Sequence, residues 1–350
     1  MFKKKKIEKE YIIPVFVPHL GCPQACTFCN QVRISGQETT VTAKDVKETI
    51  EFYLKNFKDD YRYVEVAFFG GSFTAIKKEK QIELLEAVQE YIDNKKVNGI
   101  RLSTRPDCID KEILKMLKKY GVKTIELGVQ SSNDFILEKA KRGHTFEDVK
   151  KASKLIRRKG FILGHQMMVG LPDSTETDEV NTAKDIIKCK AKMVRIYPVL
   201  VIKGTELARQ YAAEEFTPLS VEQAVERCKQ LTYMFRKKNI DVIRIGLQNT
   251  DEIAEPGTKG SDVLAGPFHP AFRQLVEGEI WYDAISDKIK NLNNKVKKVQ
   301  VTISPESFNY AIGHKRCNVK RIKELYDVDI VVKSNDEFRP GKFEVEVIKE

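Results

Sequence analysis

The sequence predicts an α/β protein, a partial (β/α)6 TIM-like barrel followed by a small C-terminal α+β domain, and three observations carry that expectation. Short apolar runs alternate with amphipathic helical patterns at intervals of roughly thirty to forty residues, the rhythm of βα units around a parallel sheet. A polar or glycine-bearing stretch follows each run, and in such folds chemistry sits at the C-terminal ends of the strands. Beyond residue 248 the alternation stops, and residues 297–350 begin a pattern of their own.

In chain order, the predicted strands are IIPVFVP (12–18), YVEVAFFG (63–70), GIRLSTR (99–105), TIELGVQ (124–130), ILGHQMMVG (162–170), MVRIYPVLV (193–201) and DVIRIGL (241–247). Each is rich in β-branched and aromatic residues. Helical patterns with apolar residues three and four apart lie between them: DVKETIEFYLKNF, KQIELLEAVQEYI, KEILKMLKKY, FEDVKKASKLIRRK and VEQAVERCKQLTYMFRKK. The barrel is therefore expected over residues 1–248. A Gly/Pro-rich cover, a charged helix and the linker NLNNKVKK fill 249–296, and residues 297–350 read β-α-α-β-β.

Hydrophobic content of 41% and charged content of 32% describe a globular chain, and no apolar run approaches the roughly 18 residues of a membrane span. The start, MFKKKKIEKEYIIPVFVP, lacks the cleavage site of a signal peptide, so the expected location is cytoplasmic, with no membrane partner. A formal net charge of +11 permits a phosphate-rich partner such as RNA, although lysine-rich composition alone gives the same number.

Of seven cysteines, Cys22, Cys26 and Cys29 cluster as C-x3-C-x2-C, while Cys108, Cys189, Cys228 and Cys317 are scattered singly. That argues against a disulfide framework and for thiols kept reduced to bind metal. Four thiolates would close a structural site. Three can hold a cubane cluster and leave one iron open, and the alternative is a three-cysteine zinc site completed by His19. Cys108, Cys189 and Cys228 read as small buried hydrophobes.

C-x3-C-x-aromatic-C after the first strand of a βα series resembles the signature of the radical S-adenosylmethionine (SAM) enzymes. The resemblance implies a partial barrel of the radical SAM type, a 4Fe-4S cluster on Cys22, Cys26 and Cys29, and S-adenosylmethionine on the open iron, with Phe28 bordering the adenine. In that family an electron from the cluster cleaves the sulfonium to a 5′-deoxyadenosyl radical, so a reductase or a flavodoxin- or ferredoxin-type donor is implied as partner. FFGGSFT resembles the family's glycine motif, which implies contacts to the methionine amino group at Gly70, Gly71 and Ser72. GVQS and KRGHT are similar to segments of the oxygen-independent coproporphyrinogen oxidase branch, implying ribose and carboxylate contacts for Gln130 and Arg142. Gln166 stands where that branch has a ribose-binding acid, and Ser103 and Arg105 are further strand-end candidates; Arg105 reads equally as a structural ion-pair former. His165 reads as a hydrogen-bonded core residue.

RIYPVLVIKGTEL, RLSTRPDCID and ELGVQS are similar to the radical domain of the Elongator catalytic subunit family, which acts on transfer RNA. The resemblance spans roughly residues 11 to 250, with GPFHPAF as an extension. That family's acetyltransferase domain is not found in the sequence, so its carboxymethylation reaction is not carried over. In its place AIGHKRCNVKRIKEL resembles the helix, G-x-x-G loop and helix of KH modules, with Arg316 where the second glycine would stand. It implies RNA contacts by Gly313, Lys315, Arg316, Lys320, Arg321 and Lys323. Lys203 and His269 are candidates for the substrate pocket. The expected function is reductive cleavage of S-adenosylmethionine to modify RNA, with tRNA as the substrate that the Elongator likeness implies. The alternatives are a small-molecule enzyme of the coproporphyrinogen oxidase-like branch and a non-catalytic iron-sulfur RNA-binding protein.

Overall fold

The structure is a computed structural model that describes residues 9–17, 26–30, 41–57, 62–292 and 296–348. Its elements run β1 (Lys9–Val17), α1 (Ala43–Asn56), β2 (Arg62–Gly70), α2 (Lys78–Asp93), β3 (Gly99–Thr104), α3 (Lys111–Lys119), β4 (Val122–Gln130), α4 (Asp134–Lys139), α5 (Phe146–Arg158), β5 (Ile162–Val169), α6 (Glu176–Lys188), β6 (Met193–Pro198), β7 (Val201–Ile202), α7 (Glu206–Ala212), α8 (Val221–Arg236) and β8 (Asp241–Ile245). There follow β9 (Val263–Ala265), α9 (Phe272–Lys290), β10 (Lys298–Ile303), α10 (Phe308–Ile312), α11 (Cys317–Tyr326), β11 (Asp329–Ser334) and β12 (Phe343–Val347).

The main sheet has seven strands in the order β1-β2-β3-β4-β5-β6-β8, all parallel. It is an open, half-barrel sheet, since β1 and β8 stand at opposite edges. Parallel strands buried on both faces need apolar residues toward the helices, and Val66, Ile100, Leu102, Ile125, Leu127, Met167, Val194 and Ile196 supply them at 0% exposure. Four helices start with reciprocal capping boxes: Thr42 with Asp45, Thr145 with Asp148, Thr175 with Asp178, and Ser220 with Gln223.

Two sequence expectations change here. MVRIYPVLV is not one strand: β6 ends at Pro198, and Val201 and Ile202 leave the sheet to pair with β9 of the covering segment. Between β5 and β6 runs α6, which the periodicity reading passed over although Thr175-x-x-Asp178 marks its start.

The C-terminal unit has the β-α-α-β-β order expected, with β11 parallel and β12 antiparallel to the central β10. Helix α9 serves two cores. Phe272, Val276 and Ile280 pack into the barrel core, while Trp281, Ile285 and Ile289 pack with Val299, Val301, Ile303, Ile322 and Ile330. Trp281 meets the Phe343 ring edge-on at 5.4 Å. No helix among the described residues is long and apolar enough to cross a membrane.

Candidate active site

The C-terminal ends of β1, β2, β3 and β4 carry most of the sequence-predicted site. Cys22 and His19 lie outside the described residues. Cys26 and Cys29 fall in one tight turn, closed by the Cys29 amide donating to the Cys26 carbonyl at 3.0 Å. That turn is held from two sides. The Thr27 amide donates to Ala140 O at 3.2 Å just past α4, and the Leu207 amide at the start of α7 donates to Thr27 O at 2.8 Å. Phe28 packs into an apolar cluster with Ile136, Leu171, Val199 and Leu207.

Gly70 closes β2 opposite Val17, with φ +108. A Cβ there would stand 2.6 Å from the Val17 carbonyl oxygen, so only glycine lets β1 and β2 meet at the point where the cysteine loop begins. The Gly71 amide donates to the same carbonyl at 3.2 Å. Ser72 ties this end to β3: its hydroxyl is 2.8 Å from Thr104 Oγ1 and accepts from the Arg105 amide at 3.1 Å. Arg105 itself forks onto Asp107 at 3.0 and 2.8 Å, the ion-pair role that was its alternative.

Arg142 and Gln130 come together beneath the cysteine turn. Arg142 donates from Nη1 to Cys26 Sγ at 3.3 Å and from Nη2 to Gly128 O at 3.0 Å. Gln130 holds a left-handed φ of +67 at an irregularity in the β4–β5 register, a conformation that costs a non-glycine residue energy and recurs at functional sites. Gly128, absent from the sequence-derived set, makes this possible. A Cβ on it would lie 3.1 Å from both Arg142 Nη2 and Gln130 Nε2. Beside them burial, then the Arg142 guanidinium, push His144 down to about 4, so its ring is neutral.

Buried polar atoms around this turn without a hydrogen-bond partner among the described residues include Thr27 Oγ1, Gln130 Oε1 and Arg142 Nε. Buried polar groups in folded proteins are ordinarily satisfied. Unspent donors and acceptors beside reduced thiols fit a polar ligand next to a thiolate-held cluster, which is what a 4Fe-4S cluster with S-adenosylmethionine would be.

Deeper in the barrel lies a row of charges that sequence reasoning missed. Glu65, Arg101, Glu126 and Arg195 come from β2, β3, β4 and β6, are all at least nine-tenths buried, and point into the lumen. Arg101 joins Glu65 at 2.7 Å and Glu126 at 3.4 Å, while Arg195 forks onto Glu126 at 2.5 and 3.0 Å. Burial pushes the Glu126 carboxyl up, but the Arg195 and Arg101 guanidiniums outweigh it and hold the group below its ordinary range. Gln166 spans Glu126 and Ser103 at 3.1 Å each, so these two predicted residues belong to the row rather than to the cysteine turn. The signal was present: one charged residue sits in each of YVEVAFF, GIRLST, TIELGVQ and MVRIYP.

The remaining candidates lie elsewhere. His165 faces α5, where its Nε2 meets Ser153 Oγ at 2.9 Å, and burial pushes it down to about 3. Lys203 is exposed on the turn after β7, its amide bonded to Asp262 O at 2.8 Å. His269 contacts the small C-terminal unit, its ring edge-on to that of His314 at 5.2 Å. In that unit Gly313 has φ +76, and Lys315, Arg316 and Lys320 are exposed. Arg321 is committed to α9, stacked 3.7 Å over the Tyr282 ring and paired with Glu279, and Lys323 is paired with Asp327 and Asp329.

An uncharacterized protein of Methanocaldococcus jannaschii is 33% identical over 233 residues, covering 64% of this chain and 71% of that protein. A tRNA uridine(34) acetyltransferase of Methanocaldococcus infernus is 36% identical over 184 residues, 47% of this chain and 34% of its own length. The chain thus spans about a third of that acetyltransferase. Among solved structures, the archaeal Elp3 of Methanocaldococcus infernus with an N-terminal deletion overlays with a TM-score of 0.60 at 24% identity, covering 81% of this chain and 64% of that one, a likeness of fold. Residues 16–186 match the Radical SAM superfamily and residues 191–282 the Radical_SAM C-terminal domain. With the cysteine turn at the end of β1, the glycine pair at the end of β2 and these matches, the chain belongs to the radical SAM superfamily, enzymes that bind a 4Fe-4S cluster and S-adenosylmethionine.

Proposed function

We propose that this protein is a cytoplasmic radical SAM enzyme that modifies RNA, with transfer RNA as the substrate class. The observation that carries the catalytic half is Arg142, which links the β4 end to Cys26 while its Nε and the Gln130 carbonyl have no partner among the described residues. Cys22, Cys26 and Cys29 would hold the cluster. When bound, cluster and S-adenosylmethionine supply a one-electron reductive cleavage and a radical that abstracts hydrogen from substrate. The chain's own residues position and shield. Arg142 offers a carboxylate a planar donor, Gln130 offers a hydroxyl an acceptor, and the apolar packing around Phe28 excludes water. The electron comes from a separate reductase or a flavodoxin- or ferredoxin-type protein.

The RNA half is supported by the acetyltransferases of tRNA uridine(34) among the relatives and by the basic C-terminal unit. Its helix-loop-helix, with glycine at 313 and exposed Lys315 and Arg316 leading into α11, is KH-like, and such loops clamp single-stranded backbones. Anaerobic reconstitution with iron and sulfide, followed by reduction with S-adenosylmethionine, is expected to yield 5′-deoxyadenosine. A protein with a full cluster that forms none overturns the catalytic reading. Comparing tRNA nucleosides from cells with and without the protein is expected to show one modified nucleoside missing, and identical profiles overturn the RNA reading.

A further inference from the structure

A cleft of about 690 Å³ lies away from the cysteine turn, where the end of β8 faces the C-terminal unit. Arg244, Gln248 and Asn249 form its barrel wall, His269 its rim, and Asn309 and Tyr310 the opposite wall. Its volume falls within the range of ordinary ligand sites, roughly 300–1,000 Å³. Glu306 is the one carboxylate among its lining residues.

The cleft and the lumen row meet at Arg244. Arg244 lies opposite Arg195 in the β6–β8 register and extends the charge row by one strand. That row then holds two carboxylates, Glu65 and Glu126, against three guanidiniums, Arg101, Arg195 and Arg244. Arg244 is the cation left over. Among the described residues no carboxylate lies within ion-pair distance of it, and its contact with Gln248 Oε1 is a long 3.4 Å. Arg273, also at the cleft, is spent otherwise: it donates to the carbonyls of Val242 and Ile243 and so covers the open edge of β8.

On the other side His269, which lines the cleft, meets the ring of His314 in the Gly313–Arg316 loop at 5.2 Å. Lys315 and Arg316 both hold left-handed conformations, with φ of 51 and 62, and both are exposed. Arg244 on the sheet side and Lys315 and Arg316 on the C-terminal side thus stand about the cleft with no ion-pair partner among the described residues. Amide side chains and the rings of His269, Phe272 and Tyr310 line it.

Cations suit phosphates, amides read base edges, and Tyr310 and the histidine rings give a base a face to stack on. Base edges and faces are open to such groups in an unstacked single strand, which is the form sequence-reading modules take up. Resting on the RNA reading above, we infer that the cleft takes a single-stranded RNA segment, with phosphates on Lys315, Arg316 and Arg244 and a base between Tyr310 and the Gln248–Asn249 wall, and leads it from the C-terminal loop to the barrel mouth.

The test uses the full chain and a fluorescein-labelled oligouridylate octamer with one central 4-thiouridine, alongside bulk transfer RNA. Irradiation is expected to cross-link the octamer to peptides containing residues 244–249, 269–274 or 306–316. Arg244→Gln is expected to weaken octamer binding about tenfold, the loss of one charge-assisted contact. Lys315→Gln with Arg316→Gln is expected to lower the slope of log affinity against log salt by about 1.4, two phosphates at ~0.7 each. Both variants are checked for an unchanged unfolding midpoint, and Asn249→Ala, an exposed position, replaces Arg244→Gln if that variant unfolds. Cross-links mapping elsewhere, such as the Lys150, Lys154 and Arg157 face of α5, overturn the cleft but leave the RNA reading intact. Binding of transfer RNA without the octamer also overturns it. Binding of neither at low salt overturns both.

Discussion

Replacing Glu126 by Gln keeps the volume of a side chain that is 1% exposed and removes its charge. In the native site its oxygens accept a two-pronged bond from Arg195 at 2.5 and 3.0 Å, a longer one from Arg101 at 3.4 Å and one from Gln166 at 3.1 Å. A glutamine turns one of those acceptors into a donor aimed at donors, and leaves Arg195, 7% exposed, without its counter-charge. Removing one partner of a buried ion pair costs ~3–5 kcal/mol. Arg101 keeps Glu65 at 2.7 Å, so a single guanidinium is orphaned and the lower end of that range applies. At ~2 °C per kcal/mol for a large chain, the expected loss in thermal midpoint is about 6 °C. Urea titration and thermal scans at neutral pH measure it. The effect has a pH sign. Because the folded carboxyl is held below its ordinary value, its stabilisation is present above the unfolded-state pKa, about 4.3, and is lost as pH falls through the folded value. The gap between native protein and variant therefore narrows in acid. Adding Arg195→Met is expected to restore part of the loss, since replacing a whole buried pair is often near neutral. A loss under ~1 kcal/mol, or no recovery in the double variant, would refute the account of the lumen as a mutually paired row.

Gly70→Ala forces a side chain onto φ +108 and to within 2.6 Å of the Val17 carbonyl, so a loss of at least ~2 kcal/mol is expected, together with less iron bound after reconstitution. An unchanged midpoint and full iron content would show that β1 yields without cost. Gly128→Ala crowds Arg142 Nη2 and Gln130 Nε2 at 3.1 Å and is expected to raise the Kd for S-adenosylmethionine about tenfold, or ~1.4 kcal/mol, measured by equilibrium dialysis of reconstituted protein. An unaltered Kd detaches Gly128 from the site. Trp281→Ala removes the α9 anchor of the second core at a cost of ~3–5 kcal/mol, expected as lost amide protection in β10 to β12 while β2 to β5 keep theirs. Uniform loss over both units would contradict the division of α9 between two cores.

Much of the fold was legible because its signals are local. All seven main strands follow from apolar runs, and Gly70 and the cysteine turn sit at strand ends where βα succession places them. Helix α6 was equally local, yet its capping box was overlooked in a stretch whose apolar spacing is weak. Arg321 and Lys323 show the opposite limit. A basic helix face reads as solvated or RNA-facing from composition, and only the neighbouring Glu279, Asp327 and Asp329 reveal which charges are already spent.

By itself the sequence determined the succession of parallel strands, the glycine pair that follows the second predicted strand and the β-α-α-β-β order of residues 297–350, while the expected (β/α)6 barrel is an open sheet of seven strands among the described residues. These depend on spacing along the chain and on backbone conformations that few residues tolerate. Tertiary structure alone decided that Arg142 reaches Cys26 across 116 positions, that charges from β2, β3, β4 and β6 meet in one lumen row, and that His269 touches His314. The physical reason is that ion pairs and ring contacts act over a few ångströms of space. Which residues share that space is set by strand register and by where α9 carries the chain, and neither is written in any short stretch of residues.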